Sequence, residues 1–188
     1  MDNVEKHWSK VYDSGRDFTL TTWEEISNFL AELDSSLPKT HLDIGCGTGQ
    51  LTREMQHRGF TSVGIDASSV AIKIARSLTT APVDELNYIN ANIEQEQLTN
   101  VGLSTYSVVT CRLVYAFIKD KTGFLRKVAE LLDTKGVFVL ATPLVNFMPE
   151  EKRGISVEDS DIVLVNKLFK LTRTFETGNI HYFIYSKA

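Results

Sequence analysis

Short apolar runs alternate with longer stretches in which apolar side chains recur every three or four residues. The runs end near residues 44, 66, 91, 111 and 142, and each is followed by a stretch of helical periodicity or by a turn. This alternation predicts an α/β protein whose strands are joined by helices. The run over 137–142 is apolar at nearly every position, which is typical of a strand covered on both faces in a parallel sheet.

The last two apolar segments have a different pattern from the earlier ones. Residues 169–175 alternate with a period of two, and residues 180–185 return after Thr177-Gly178-Asn179. Two alternating segments separated by a short glycine-containing turn predict an antiparallel hairpin. We therefore expect the chain to finish on two paired strands.

The first forty residues predict two helices. Val4, Trp8 and Tyr12 recur at helical spacing, so they either pack on the main body or close over a ligand as a lid. Further along, Thr22 and Glu25 have the spacing of a capping box, which starts a second helix. Its buried face is expected to carry a group of side chains at helical spacing, namely Trp23, Ile26, Leu30 and Leu33.

A glycine-rich turn follows the first core run. Gly45, Gly47 and Gly49 stand at alternate positions between Ile44 and the next helical pattern. Strand, glycine turn and helix form the arrangement of a nucleotide-cofactor site in an open α/β sheet, where glycine lets the backbone approach a ligand. The dinucleotide fingerprint places glycine where this chain has Gln50, and no Gly-Lys-Ser/Thr sequence indicates a P-loop.

This turn resembles the first motif of the class I S-adenosylmethionine-dependent methyltransferase family, through residues 42–49, Leu-Asp-Ile-Gly-Cys-Gly-Thr-Gly. The resemblance covers roughly residues 40–188 and includes the terminal hairpin. It implies a doubly wound, mostly parallel seven-stranded α/β sheet that ends in an antiparallel hairpin, with helices on both faces. We expect one domain, 1–188, in which an N-terminal helical cap, 1–36, precedes a cofactor-binding core, 40–188.

The resemblance further implies S-adenosylmethionine as the cofactor and S-adenosylhomocysteine as its product. The expected cofactor-binding residues lie on the glycine turn, at later strand ends and on the first helix: Tyr12, Asp43, Gly45, Cys46, Gly47, Gly49, Asp66, Ala67, Asn92, Ile93 and Cys111.

Asp66 is the most specific candidate outside the turn. It ends the second predicted strand, 17 positions after Gly49, where open α/β cofactor proteins place a carboxylate that accepts from ribose hydroxyls. The alternative is a helix N-cap, since Ser68 and Ser69 follow it. By resemblance, Asn92 takes the place of an acid that accepts from the adenine amino group.

Expectations for the acceptor side come from two segments. The family resemblance places residues 112–117 beside the substrate, but a frequent histidine pair is replaced by Tyr115-Ala116-Phe117, so no general base and no catalytic residue are assigned. Arg112 either pairs with an acidic substrate or lies in solvent, the interpretation we favour. Tyr115 lines the substrate cavity or lies between helix and sheet.

The irregular segment 144–160 is the second of these segments, and it either selects the substrate or is a variable insertion. The full expected lining of the acceptor site is Trp8, Arg112, Tyr115, Phe147 and Met148.

Composition narrows the range of partners. The net charge of −4 gives no general attraction for nucleic acid or anionic membrane, and no apolar run has the length of a membrane span. The N-terminus lacks a signal-peptide pattern, and the cysteines Cys46 and Cys111 indicate neither a disulfide scaffold nor a metal site. We expect a cytoplasmic protein without a bound metal, whose oligomeric state the sequence does not specify.

The sequence thus predicts direct in-line methyl transfer to an oxygen, nitrogen or sulfur nucleophile of a small molecule. DNA is disfavoured because the chain lacks Asn/Asp-Pro-Pro-Tyr/Phe and Pro-Cys motifs, and the acidic balance disfavours RNA. An RNA or protein methyltransferase and a cofactor-binding subunit without catalysis remain alternatives. A nicotinamide-dependent oxidoreductase is a further one, against which Gln50 and the terminal hairpin argue.

Overall fold

The computed structural model describes residues 3–16, 18, 21–79, 86–95 and 103–188. Within these residues the chain forms six α-helices around one seven-stranded sheet. None of these helices is both long and apolar enough to cross a bilayer. The helices are α1 (Asn3–Asp13), α2 (Trp23–Leu30), α3 (Gln50–His57), α4 (Ser69–Ser77), α5 (Lys121–Leu131) and α6 (Asp159–Asn166). The strands are β1 (Thr40–Ile44), β2 (Thr61–Asp66), β3 (Leu86–Asn90), β4 (Tyr106–Arg112), β5 (Leu132–Thr142), β6 (Phe169–Thr177) and β7 (Ile180–Lys187).

The strand order is β3-β2-β1-β4-β5-β7-β6, which confirms the predicted fold class. The first five strands pair in parallel, whereas β7 runs antiparallel to both β5 and β6. The chain moves outward from β1 to β3 and then returns to β4 on the other side of β1. This reversal creates a switch point between β1 and β4, and ligands of open α/β sheets bind beyond the carboxyl ends of the strands at such a point.

Apolar side chains of β5 alternate between two cores, one on each face of the sheet. Phe138 and Leu140 belong to a cluster with Phe124 and Leu125 of α5. Residues pointing the other way, including Val137 and Val139, pack in a cluster with Ile26 and Phe29 of α2. Burial on both faces explains why the sequence is apolar throughout this run.

The sequence predicts the terminal β6–β7 hairpin better than it predicts the start of β5. The terminal hairpin is confirmed, with Gly178 in the turn at φ +58°. The sequence Asp133-Thr134-Lys135-Gly136, which is typical of a turn, lies inside β5, which begins at Leu132. Tyr106 pairs with Leu132 and Val108 with Val137, so the extra residues of β5 are accommodated as a register shift.

The capping box of α2 is confirmed, but its first side chain is not buried. Thr22 Oγ1 accepts from Glu25 N at 3.2 Å, and Glu25 Oε2 accepts from Thr22 N at 2.5 Å. The expectation that Trp23 shares the buried face is wrong, because Trp23 is 69% exposed. Its ring covers the Arg58 guanidinium at 4.1 Å, while Ile26 fills the core.

The irregular segment after β5 is ordered and folds back beside the hairpin. It contains two short 3-10 helices, Val145–Phe147 and Glu150–Ile155, and closes with a bridge between Leu144 and Val157. Phe147 of this segment contacts His181 of β7, whereas the second 3-10 helix packs against a short helix that follows β4, Tyr115–Phe117.

Candidate functional site

A cleft opens at the carboxyl ends of β1, β2 and β4, at the switch point of the sheet. Its walls come from the glycine turn, the end of β2, the residues after β3 and those after β4, and α1 contributes to its cover. Residues that the sequence predicts for the site and that line this cleft are Trp8, Tyr12, Asp43, Gly45, Cys46, Gly47, Asp66, Ala67, Asn92, Ile93 and Arg112.

The glycine turn has a backbone conformation that residues with a side chain could not adopt without strain. Gly45 and Gly47 have φ values of +72° and +54°, in the left-handed region that favours glycine. A Cβ at Gly45 would lie 2.1 Å from Val114, and one at Gly47 would lie 2.6 Å from the Tyr12 hydroxyl. Because the amides of Gly45 and Cys46 both donate to the Ile65 carbonyl, the turn is also fixed to the end of β2.

The Asp66 carboxylate lies against this turn. Its Oδ2 accepts from Gly47 N at 2.9 Å, and its Oδ1 accepts from Ser68 N at 2.8 Å. An ionised carboxylate offers about four acceptor positions, so these two bonds leave capacity for ligand hydroxyls. Burial raises the pKa of Asp66 to about 6, because desolvation outweighs the two backbone hydrogen bonds that favour the charged form.

The alternative role of Asp66 as a helix cap is only partly correct. Ser68 is the N-cap residue of α4, and its hydroxyl accepts from Ala71 N at 3.1 Å. Asp66 supports that cap through Ser68 N while also facing the cleft. One carboxylate therefore connects the turn, the cleft and the start of α4.

A buried polar chain lies beneath the turn. Thr52 and Thr110 donate their hydroxyls to the two oxygens of Asp43, at 2.7 and 2.8 Å. His41 Nε2 lies 2.9 Å from Thr110 Oγ1, and His41 Nδ1 lies 3.4 Å from the Ser62 hydroxyl. Since the single Thr110 hydroxyl hydrogen points at Asp43, this network assigns the His41 proton to Nε2. Burial raises the pKa of Asp43 and lowers that of His41 to about 3.

Aromatic side chains from α1 cover part of the cleft. Trp8 contacts Phe117 edge-on at 4.8 Å and Phe18 at 6.0 Å between ring centroids, and Tyr12 lies 5.9 Å from Phe18. Ser9 fixes α1 to α4 through a 3.1 Å hydrogen bond with Ser68. The helix therefore packs on the body and also lines the cleft, and its closure over a ligand stays a prediction.

Asn92 and Ile93 lie on the wall that follows β3. The Asn92 side-chain oxygen accepts from Glu94 N at 3.1 Å, which fixes the amide within its own turn. Glu94 is fixed in turn, since its Oε1 accepts from the amides of Lys119 and Asp120 at 2.9 and 2.8 Å. This wall is thus built on the segment that enters α5.

Arg112 is half-buried and lines the cleft, so the interpretation that favoured solvent is wrong. Its Nε donates to the Tyr182 hydroxyl at 3.1 Å, and that hydroxyl donates to Glu25 Oε1 at 2.7 Å. The sequence gives no sign of this network, because its members are separated by 70 residues or more and meet only in the folded sheet.

Two predicted cofactor residues lie outside the cleft lining. Gly49 has φ +80°, and its Cβ would meet the Tyr88 ring, whose hydroxyl donates to the Gly49 carbonyl at 3.1 Å. Its glycine therefore serves the packing of α3 against β3. Cys111 is fully buried within the sheet core because its side chain points into the face covered by α5.

Three predicted acceptor-site residues also lie elsewhere, and these predictions are corrected. Tyr115 is fully buried, with its ring 5.7 Å from Phe124, which matches the alternative placement between helix and sheet. Phe147 is 62% exposed, and its ring lies 4.7 Å from that of His181 at a tilt of 44°, beside a separate cleft on the hairpin. Met148 is buried and does not line the cleft.

Several cleft residues escaped the sequence analysis. Gln50 and Thr21 line it and bond to each other, and Phe18, Glu94 and Phe117 line it as well. The signal for Phe117 was present, since the family resemblance placed residues 115–117 near the substrate. The irregular segment around Thr21 carried no comparable signal.

The thiol in the turn is not an activated nucleophile. Burial raises the pKa of Cys46 well above its usual value, and the neighbouring carboxylates of Asp66 and Asp43 raise it further. The chemistry that suits the cleft is thus binding and alignment rather than covalent attack.

Comparison with known proteins gives one family and several relatives. The methyltransferase domain family matches residues 16–186. The chain is 32% identical over 113 residues to the ubiquinone biosynthesis O-methyltransferase of Vibrio parahaemolyticus, covering 60% of the chain and 47% of that protein. It is 36% identical over 107 residues to the mitochondrial ubiquinone biosynthesis O-methyltransferase of Schizosaccharomyces pombe, covering 55% and 38%. The chain therefore spans about half the length, or less, of the curated relatives it matches.

Among solved structures, the chain resembles magnesium protoporphyrin IX methyltransferase from Synechocystis PCC 6803, which holds bound S-adenosylhomocysteine. The TM-score is 0.73 at 16% identity, and 98% of each chain is covered. At this identity the likeness concerns the fold.

Proposed function

Because the chain belongs to the class I S-adenosylmethionine-dependent methyltransferase family, we propose that it transfers a methyl group to an oxygen nucleophile of a small molecule. The sequence alone predicts an oxygen, nitrogen or sulfur nucleophile, and we choose oxygen among these three. The choice of oxygen is supported by the names of the relatives, which are O-methyltransferases.

The observation that carries the proposal is the placement of Asp66 against the glycine turn at the switch point. The turn at Gly45 and Gly47 presents bare backbone to the cleft, and Asp66 presents acceptor oxygens beside it. We assign the ribose hydroxyls of the cofactor to Asp66 and the adenine to the wall at Ala67, Asn92 and Ile93. These residues fit an adenosine group, since they combine charged and amide acceptors with an apolar flank.

When bound, the cofactor supplies a methyl group already activated on a sulfonium. The chain then has to align an acceptor with that methyl group and to exclude water, and alignment alone can lower a barrier by about 7–11 kcal/mol. Trp8, Phe18 and Phe117 suit this role because they place an aromatic surface over the opening of the cleft. We assign no general base.

The acceptor site is proposed to be aromatic and small. Trp8 and Phe117 lie edge to face with their ring centroids 4.8 Å apart, and this aromatic surface favours a flat organic acceptor. The net charge of −4 supports the same choice, because it gives no general attraction for RNA. An RNA or protein acceptor and a subunit without its own catalysis are the alternatives that the experiment separates.

The test is transfer of label from methyl-labelled S-adenosylmethionine to a panel of phenols, carboxylic acids, amines and thiols, with total RNA and a protein lysate as competing acceptors. We expect label in one class of small hydroxyl compounds and inhibition by added S-adenosylhomocysteine. Label appearing only in RNA or protein would contradict the acceptor class. Calorimetric binding of S-adenosylhomocysteine without transfer to any acceptor would support the non-catalytic subunit instead.

A further inference from the structure

We propose that Arg112 is a carboxylate-binding group of the cleft, held in position by Tyr182 and Glu25. The inference rests on the proposed function, since the carboxylate belongs either to the amino-acid end of the cofactor or to the acceptor. Both sources offer the same chemistry to a guanidinium, and the experiments below separate them.

The register of the sheet places Arg112 and Tyr182 in one row at the edge that carries the cleft. Arg112 is the last residue of β4 and pairs with Ala141 of β5, which pairs with Tyr182 of β7. Directly paired residues point to the same face of a sheet, so Arg112 and Tyr182 lie in one row across three strands. This row lies at the carboxyl edge of the parallel strands, beside the glycine turn.

Two buried side chains fix the guanidinium. Tyr182 and Glu25 are 1% and 3% exposed, and the Tyr182 ring stacks on Phe175 at 4.5 Å with 6° between the planes. Burial raises the pKa of Tyr182 well above its usual range, so its hydroxyl keeps its proton. That proton is donated to Glu25, and the hydroxyl oxygen therefore accepts from Arg112 Nε. The direction of both bonds orients the guanidinium.

Arg112 supplies positive charge at a wall that otherwise carries carboxylates, and it also interacts electrostatically with Asp43. The charged groups among the described lining residues are Asp43, Asp66, Glu94 and Arg112. Each of the three carboxylates accepts two hydrogen bonds from its own chain, as described above. The guanidinium is the cation among them. Its planar N–H fork matches the geometry of a carboxylate, and Tyr182 fixes this fork at Nε.

The first experiment measures binding of two cofactor probes to Arg112→Met by calorimetry. S-adenosylhomocysteine carries the amino-acid carboxylate, whereas 5′-methylthioadenosine lacks it. If the cofactor is the source, affinity for S-adenosylhomocysteine should fall by about 30-fold, and affinity for 5′-methylthioadenosine should stay within about twofold. Arg126→Met, which removes an exposed arginine of α5, is the matched control and should change neither affinity.

The second experiment tests the acceptor as the source. Binding of 4-hydroxybenzoate and of its methyl ester is measured in the presence of saturating S-adenosylhomocysteine. If the acceptor supplies the carboxylate, the wild-type protein should prefer the acid by about 10-fold or more. Arg112→Met should lose that preference while binding S-adenosylhomocysteine as the wild type does.

Tyr182→Phe separates positioning from charge. This variant keeps the arginine but removes the hydroxyl that fixes it, so the carboxylate-dependent effect should be reduced by about three- to tenfold and the effect on 5′-methylthioadenosine should be absent. Arg112→Lys keeps the charge without the fork and should give an intermediate loss, which guards against misfolding of the methionine variant.

Two results would overturn the assignment. One is that Arg112→Met keeps the wild-type preference for the carboxylate-containing ligand in both experiments. The other is that Arg112→Met loses the same affinity for S-adenosylhomocysteine as for 5′-methylthioadenosine. If the wild-type protein binds neither probe, the proposed function itself fails, and the assignment fails with it. Wild-type binding of S-adenosylhomocysteine without any Arg112-dependent preference removes only the role of Arg112.

Discussion

Gln50 and Thr21 exchange two hydrogen bonds across the edge of the cleft. Thr21 N donates to Gln50 Oε1 at 3.0 Å, and Gln50 Nε2 donates to the Thr21 carbonyl at 3.1 Å. The Gln50 side-chain amide, at the start of α3, thus satisfies the backbone N–H and carbonyl of Thr21, as a neighbouring strand would do. The residue that separates this turn from a dinucleotide fingerprint also holds the N-terminal segment on the core.

Gln50→Ala should lower the free energy of unfolding by about 1–2 kcal/mol, because it removes both bonds and leaves the Thr21 backbone groups without this partner. Urea denaturation followed by circular dichroism measures the change. His57→Ala, at an exposed position of the same helix, is the control and should leave the midpoint nearly unchanged. Equal midpoints for both variants would show that the Gln50 pair contributes nothing.

Asp66→Ala should weaken binding of S-adenosylhomocysteine by about 2 kcal/mol, roughly 30-fold, since it removes a charged acceptor from the proposed ribose position. Calorimetry on the purified variant measures this. Glu130→Ala removes an exposed carboxylate of α5 and should bind like the wild type. Unchanged affinity in the Asp66 variant would remove the ribose assignment.

Gly47→Val should abolish cofactor binding while leaving helix content nearly intact. The substitution strains a residue at φ +54° and brings its side chain into the Tyr12 hydroxyl at the cleft wall. Far-ultraviolet circular dichroism and calorimetry together separate the two effects. Gly154→Val is the comparison, because no atom outside its immediate neighbours lies within 4 Å of the added Cβ. Normal affinity in Gly47→Val would mean that the ligand does not approach the turn.

Much of the scaffold could be predicted because it depends on local patterns. The apolar run at 137–142, the capping box at Thr22 and the hairpin turn at Gly178 each follow from a few adjacent residues. The glycine turn and Asp66 were found for the same reason, since strand order brings the ends of adjacent parallel strands together.

The acceptor side was less predictable because it depends on which way side chains and loops turn. Tyr115 follows a strand end but points into the core, and Phe147 lies on a segment that folds toward the hairpin. The sequence could not predict the contact of Arg112 with Tyr182, because Tyr182 lies on β7, which pairs with β5 and not with β4. Such contacts form only when distant strands meet.

Cofactor binding should weaken as the pH falls through 6. Burial raises the pKa of Asp66 to about 6, so the free protein loses the charged acceptor below that pH. If only the ionised carboxylate accepts from the ribose, affinity for S-adenosylhomocysteine should drop by about 10-fold between pH 7 and pH 5. Asp66→Asn should show a flat profile by calorimetry. An identical slope in that variant would assign the pH dependence to another group.

The buried His41 should make the fold sensitive to acid. Its pKa is lowered from 6.5 to about 3, so between these values the unfolded chain binds a proton that the folded chain does not. The stability from this group is therefore present above pH 6.5 and is lost on acidification, by about 1.4 kcal/mol per pH unit within that window.

His41→Gln keeps a polar side chain but does not titrate. The stability difference between wild type and variant, from urea denaturation, should therefore narrow or change sign by about 1 kcal/mol between pH 7 and pH 5.5. A difference that stays constant would contradict a neutral buried imidazole. The opposite dependence from Asp66 is common to both proteins and cancels in the comparison.

The row from Arg112 to Tyr182 makes one wall of the cleft depend on a strand far away in the sequence. The glycine turn and Asp66 lie at the ends of β1 and β2, whereas the tyrosine that anchors Arg112 is on β7, which follows the other described strands in the sequence. A chain that ends before β7 would contain the glycine turn and Asp66. It would lack the Tyr182 hydroxyl that fixes the Arg112 guanidinium. Completion of the sheet by its final strand therefore doubles as the step that finishes the wall of the cleft.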